Sequence, residues 1–153
     1  MIIPDVNLLI YAYDAESPFH KAAASWWRRC LSASEPVGLP PLVLFGFVRI
    51  ATSSRVFRDP MTPSEAASHV RAWLARPCVQ ILQPPTNHVE QVLALLEALG
   101  VAGNLVTDAQ IAALAIEYGA TLHTADADFL RFAGLRWHNP ITGRGHAPPA
   151  LKP

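Results

Sequence analysis

A chain of 153 residues is the size of one domain and can bury about two-thirds of its unfolded surface without disulfides or a structural metal. Hydrophobic residues make up 51 % and charged ones 16 %, and 12 Lys and Arg balance 12 Asp and Glu, which argues against a protein that holds nucleic acid through global charge alone. No apolar run approaches the roughly 18 residues of a membrane span, and the N-terminus enters a strand too soon for a signal peptide, so the cytoplasm is the expected compartment.

Ile2 and Ile3 form a short apolar run suited to a buried parallel strand, and Asp5 arrives where that strand should end. Leu8-Leu9-Ile10-Tyr11-Ala12 predicts a short helix. Ser17-Pro18 offers an N-cap with proline at the first helical position, followed by Phe19, Ala22, Ala23, Trp26, Trp27, Cys30 and Leu31 at helical spacing. Adjacent tryptophans cannot share one direction, so one is expected inward and the other at an edge. Pro36 to Pro40 encloses a short strand, and a helix should run from Pro41 to Ala51, with Gly46 in its interior at a cost of roughly 1 kcal/mol relative to alanine. Something must approach closely at that glycine.

Thr62-Pro63-Ser64-Glu65 is a capping box, opening a helix through Val70, Trp73 and Leu74 that ends before Pro77. Val79 to Leu82 predicts a strand. Asn87 is the expected cap of the next helix, with Val92, Leu93, Leu96 and Leu99 inward and Gly100 as its stop. Thr107-Asp108 opens the best helical pattern, with Ile111, Leu114, Ala115 and Tyr118 toward the core and Gly119 at its end. Ala120 to Thr124 predicts a second strand running into acid, at Asp126 and Asp128. A short helix through Phe129 and Phe132 and a last strand over Leu135 to His138 follow. Alternating strands and helices make this an α/β chain with a mainly parallel sheet. Residues 141–153 form a Pro/Gly-rich extension expected at the surface and partly disordered. Cys30 and Cys78 lack metal-type spacing and no disulfide is expected.

Ligands of open parallel sheets gather beyond the carboxyl ends of the strands, where Asp5 and Asp126 both stand. Asp108 stands in the first turn of its helix, where an acid is also favoured by the helix dipole alone. Like charges held together raise one another's pKa, a cost that bound Mg²⁺ or Mn²⁺ removes. Three carboxylates from three elements therefore point to a metal cradle. Asp128 is expected to cap the helix at Phe129. Thr124 can hydrogen-bond an acid, and Asn7 can orient Asp5, although each also reads as a satisfied turn residue. Glu117 lies about 13 Å along its helix from Asp108, too far to share a metal. The absence of a glycine-rich phosphate loop and of a Gly-x-Ser-x-Gly elbow removes nucleotide-cofactor and serine-hydrolase readings.

Asp5-Val6-Asn7-Leu8-Leu9, Thr107-Asp108-Ala109-Gln110-Ile111-Ala112-Ala113 and Thr124-Ala125-Asp126-Ala127-Asp128-Phe129 together resemble a PIN-domain ribonuclease, specifically a VapC-type toxin of a toxin–antitoxin pair. The resemblance spans residues 1–140 and implies a three-layer α/β/α sandwich, Mg²⁺- or Mn²⁺-dependent RNA cleavage, homodimerisation and a small inhibitory antitoxin. Many such domains carry a further acid where this chain has Gly46. The segment Leu44-Phe45-Gly46-Phe47-Val48-Arg49 instead resembles a mycobacterial subgroup in which glycine is usual.

On this reading Asp5, Asp108 and Asp126 hold the metal, Asn7, Thr124 and Asp128 support them, and Arg49, Arg55 or Arg58 positions the RNA backbone, as a phosphate-facing rim or an ordinary solvated loop. A binding module that has lost catalysis with the missing acid is the main alternative. A haloacid-dehalogenase-like phosphatase ranks last, because Asn7 stands where its second aspartate belongs.

Overall fold

The structure, a computed structural model, describes residues 1–147. Strand β1 (Ile2–Pro4) leads into α1 (Val6–Tyr13) and α2 (His20–Cys30), β2 (Val37–Leu39) into α3 (Pro41–Ala51) and α4 (Pro63–Leu74), and β3 (Val79–Ile81) into α5 (His88–Leu99) and α6 (Val106–Glu117). Then come β4 (Thr121–His123), a 3₁₀ helix (Ala127–Arg131), β5 (Trp137–His138) and β6 (Gly145–His146). The sheet runs β3-β2-β1-β4-β5-β6, parallel throughout except for the β5–β6 pair.

This order decides where a site can lie. From β1 the chain winds outward through β2 to β3, then returns to add β4 on the other side of β1. Right-handed crossovers put α1 to α4 on one face and α5 and α6 on the other, giving an α/β/α sandwich. The helices pack accordingly, α1 on α2 and α3, α3 on α4, and α5 on α6. The reversal falls between β1 and β4, where Pro4 pairs with His123, and the crevice beyond the carboxyl ends of these strands is the favoured ligand position.

The apolar runs behave as buried strands: Ile3, Val37, Leu39 and Leu122 are fully enclosed. Thr62 and Glu65 form the reciprocal capping box that opens α4. Gly100, at φ 68°, ends α5 in the left-handed conformation that favours glycine. α2 begins at His20 rather than at Pro18, because the Ser17 side chain accepts from the Phe19 amide in a local turn.

Several expectations are corrected. Both tryptophans are buried, at 3 % exposure each: the Trp26 indole donates to His123 Nδ1 at 3.0 Å, and Trp27 meets Trp73 edge-on at 5.4 Å. α2 is covered on two flanks, so divergent side chains both find the core. Asn87 makes no side-chain cap. Val92, Leu96 and Leu99 of α5 face inward as expected, but Leu95 joins them in the core while Leu93 is half exposed. Tyr118 is also exposed, its hydroxyl donating to the Gln83 carbonyl at 2.7 Å.

The strand expected over Leu135 to His138 covers only Trp137–His138, and the chain after it turns back as β6. The remaining extension, residues 148–153, lies outside the described residues.

Candidate active site

Asp5 is the first residue past β1 and is only 4 % exposed. Its amide donates to the His123 carbonyl at 2.8 Å, which ties the end of β1 to the end of β4. Its carboxylate accepts from the buried Thr124 hydroxyl at 3.0 Å, and the same hydroxyl oxygen accepts the Asp126 amide at 2.9 Å. One side chain therefore fixes the geometry of two acids. Burial is the main force on Asp5 and pushes its carboxyl up to about 7; the Thr124 hydrogen bond opposes this, and the charges of Asp108 and Asp126 reinforce it.

Asp108 lies in the first turn of α6, half buried, and is pushed up to about 6 by burial and then by the charges of Asp126 and Asp128. These couplings place the three acids in one electrostatic neighbourhood, contributed by β1, α6 and β4. Asp5 and Asp108 line one open hollow of about 600 Å³, shared with Asn7, Gly46, Arg49, Asn104 and Thr107. Asp126 and Thr124 line a second hollow of about 170 Å³, tied to the first through the Thr124–Asp5 hydrogen bond. Among the described residues no three acid, histidine or cysteine side chains converge tightly enough to form a ready-made metal cage.

The supporting residues divide. Asp126, rather than Asp128, is the N-cap of the 3₁₀ helix, its Oδ1 accepting the Asp128 amide at 2.9 Å. Asp128 is exposed and acts on Asp108 through charge. The Asn7 side chain makes no hydrogen bond to Asp5 among the described residues, although its backbone N–H favours the Asp5 anion. Arg49 lines the hollow of Asp5 and Asp108, Arg58 lines a separate groove beside Phe57 and Asp59, and Arg55 is exposed and lines neither.

Gly46 explains itself here. A Cβ at this position would stand 2.9 Å from Val6 Cγ2, so α3 closes on the first residue of α1, next to Asp5. Sequence reasoning did not reach Arg144, which lines the hollow of Asp126. Its one signal was the turn chemistry of Asn139-Pro140 and Gly143 after a strand.

The PIN domain matches residues 2–135. The chain belongs to the PIN-domain family. Within the family it is 45 % identical over 141 residues to ribonuclease VapC33 of Mycobacterium tuberculosis, covering 92 % of this chain and 99 % of that one. It is 39 % identical over 146 residues to ribonuclease VapC43 of the same organism, covering 95 % and 99 %. Its PIN fold is similar to VapBC2 from Rickettsia felis bound to a promoter DNA fragment, at TM-score 0.65 and 21 % identity over 91 % of this chain and 98 % of that chain. VapC20 of M. tuberculosis, described as a toxin cleaving the sarcin-ricin loop, gives TM-score 0.64 and 19 % identity over 85 % and 93 %. In these PIN-domain terms the three quoted motifs fall at the carboxyl edge of the sheet and the first turn of α6.

Proposed function

We propose that this PIN domain is a divalent-metal-dependent endoribonuclease toxin restrained by a cognate antitoxin. The observation that carries the reading is Asp5: a carboxylate 4 % exposed, held by Thr124 and raised to about 7 beside two further acids at the switch point of the sheet. An arrangement of all-oxygen donors that repel one another suits a hard cation, and Asp5, Asp108 and Asp126 would hold Mg²⁺ or Mn²⁺. When bound, such an ion supplies Lewis-acid chemistry, neutralising phosphate charge and lowering the pKa of water.

The chain's own residues do the rest. Thr124 keeps Asp5 oriented and Asp126 in register with it. The Asp128 amide occupies one Asp126 oxygen and leaves the other to the site. Arg49, exposed on the rim of the same hollow, binds the RNA phosphodiester backbone. An open hollow suits a splayed single strand or loop better than a duplex.

Cleavage of total cellular RNA by antitoxin-free protein, with Mg²⁺, Mn²⁺ or EDTA and beside Asp5→Asn, tests this. Discrete fragments that require both metal and Asp5 are expected. Intact RNA in every lane, from protein shown to be folded, would reject the nuclease in favour of a binding module, the reading that Gly46 in place of an acid favours.

The groove of about 270 Å³ lined by Ile10, Tyr13, Phe47, Met61, Arg58 and Asp59 would seat an apolar side chain from an antitoxin helix laid across it. Homodimerisation through the exposed Val89 and Leu93 of α5 is the accompanying expectation, read by light scattering. Among the described residues no helix is long and apolar enough to cross a membrane.

A further inference from the structure

We infer that the hollow between the end of β4 and the turn joining β5 to β6 is a nucleotide subsite, in which Trp137 stacks on a base and Arg144 holds the phosphate next to the scissile one. The inference rests on the ribonuclease reading and deepens it. It concerns residues beyond 135, where the family match stops.

Position comes first. β5 runs parallel to β4 with His138 opposite His123, and the Thr124 amide donates to the His138 carbonyl at 3.0 Å. The chain leaving β5 therefore emerges on the same edge as Asp5 and Asp126. It is then held in a tight turn. The Asn139 amide donates to the Arg144 carbonyl at 2.7 Å and the Gly143 amide to the Asn139 carbonyl at 2.9 Å, with Gly143 at φ 73°. Asn139 Oδ1 accepts from the Ile141 amide at 2.9 Å and the Thr142 amide at 3.2 Å. A turn bonded this thoroughly is a fixed platform rather than a loose tail.

The chemistry follows from the lining. Leu130 and Trp137 supply apolar and aromatic wall, while Asn139, Thr142 and Arg144 supply polar groups, with Asp126 at the border. Trp137 packs one side against the core and is the one partly exposed member of four tryptophans; Trp26, Trp27 and Trp73 are buried. The Asn139 amide oxygen is used up by its own turn, so its NH₂ remains a donor for a base acceptor. Among the described residues Arg144 makes no ion pair, not even with Asp126 in the same hollow. An exposed guanidinium left uncommitted beside acids is a phosphate fork, and an aromatic face beside it is a base platform. At about 170 Å³ the hollow is smaller than the roughly 300–1,000 Å³ of drug-sized ligand sites and suits a single base.

The test is equilibrium binding of short fluorescein-labelled single-stranded RNA in EDTA, at several salt concentrations, paired with cleavage of the same RNA in Mg²⁺. Arg144→Ala should weaken binding about tenfold and reduce the salt slope by about 1, whereas Arg144→Lys keeps the slope. Trp137→Leu should weaken binding about tenfold with the slope unchanged, and RNA should quench wild-type tryptophan fluorescence but not that of the variant. Arg144 is exposed, so its replacement tests the idea even where Trp137→Leu fails to fold. Folded variants that bind and cut as wild type does would overturn the subsite and leave the nuclease standing. Wild-type protein that neither binds nor cuts RNA would overturn both readings, and the wild-type lane alone reports that outcome.

Discussion

Thr124 Oγ1 donates to Asp5 Oδ2 at 3.0 Å from a position 1 % exposed, joining the end of β4 to the end of β1. Because the same oxygen accepts the Asp126 amide, Thr124→Val removes two bonds at once and leaves a buried carboxylate without its hydroxyl donor. The expected loss is about 1–3 kcal/mol of stability in urea denaturation, with a fall in RNA cleavage. Thr124→Ser keeps the hydroxyl and should recover most of both. A valine variant that equals wild type in stability and cleavage would show that the hydroxyl positions nothing.

Asp5→Asn separates stability from activity. The folded Asp5 carboxyl is raised from 3.8 to about 7. A raised acid favours the neutral form in the folded state, so the Asp5 contribution to metal-free stability is full below about pH 4, is lost as pH rises toward 7, and is flat above that, while His123, lowered to about 4 by burial, acts in the opposite direction below about pH 6.5. The difference is on the order of 4 kcal/mol at 1.36 kcal/mol per unit. Asp108, raised to about 6, acts in the same direction as Asp5. Without metal at pH 8, Asp5→Asn should melt roughly 8–16 °C above wild type. Mg²⁺ should raise the wild-type Tm and leave the variant's nearly unchanged. A Tm advantage of Asp5→Asn over wild type that fails to grow between pH 5 and 8 in EDTA contradicts this.

The fold could be read from sequence wherever local chemistry was sufficient. Ile2 and Ile3 running into Asp5, the capping box of Thr62 and Glu65, and Gly100 at a helix end each act within a few residues. What stayed hidden depended on partners distant in the chain. α5 carries two apolar stripes, one through Val92 and Leu95 and one through Val89 and Leu93, and periodicity cannot choose which meets α6. Trp26 and Trp27 are both buried because His123 and Trp73, 97 and 46 residues further along, cover opposite flanks. Asp126 and Asp128 sit on either side of the same turn, and the backbone alone selected Asp126 as its cap. The acids were legible as strand ends. Arg144 was not, because its approach to Asp126 depends on β5 joining beside β4 and the chain turning back.

Gly46 should resist replacement despite lying inside a helix. Alanine gains up to about 1 kcal/mol in helix propensity, but its Cβ would come to 2.9 Å from Cγ2 of Val6, a buried and rotamerically stiff side chain. Overpacking of this kind costs typically 1–3 kcal/mol, so Gly46→Ala is expected to lower the Tm, and Gly46→Glu to lower it further. Val6→Ala combined with Gly46→Ala should recover more stability than the sum of the single changes allows. Strict additivity in that double-mutant cycle would show that the two side chains do not meet.

His88 Nδ1 lies 2.8 Å from Glu117 Oε2, and the pair ties the first turn of α5 to the end of α6, whose first turn carries Asp108. Side-chain exposures are 10 % and 7 %, and Glu117 Oε1 has no partner among the described residues. Glu117 therefore already lacks part of its bonding, and His88 is the one hydrogen-bond partner of its carboxyl group among the described residues. His88→Ala leaves the buried Glu117 side chain without its hydrogen-bond partner and should cost about 1–3 kcal/mol in urea denaturation. Replacing both with leucine removes the buried polar group as well as its partner, and is expected to return stability to within about 1 kcal/mol of wild type. A double variant no more stable than His88→Ala alone would mean that the hydrogen-bonded pair contributes packing and register that apolar side chains cannot supply.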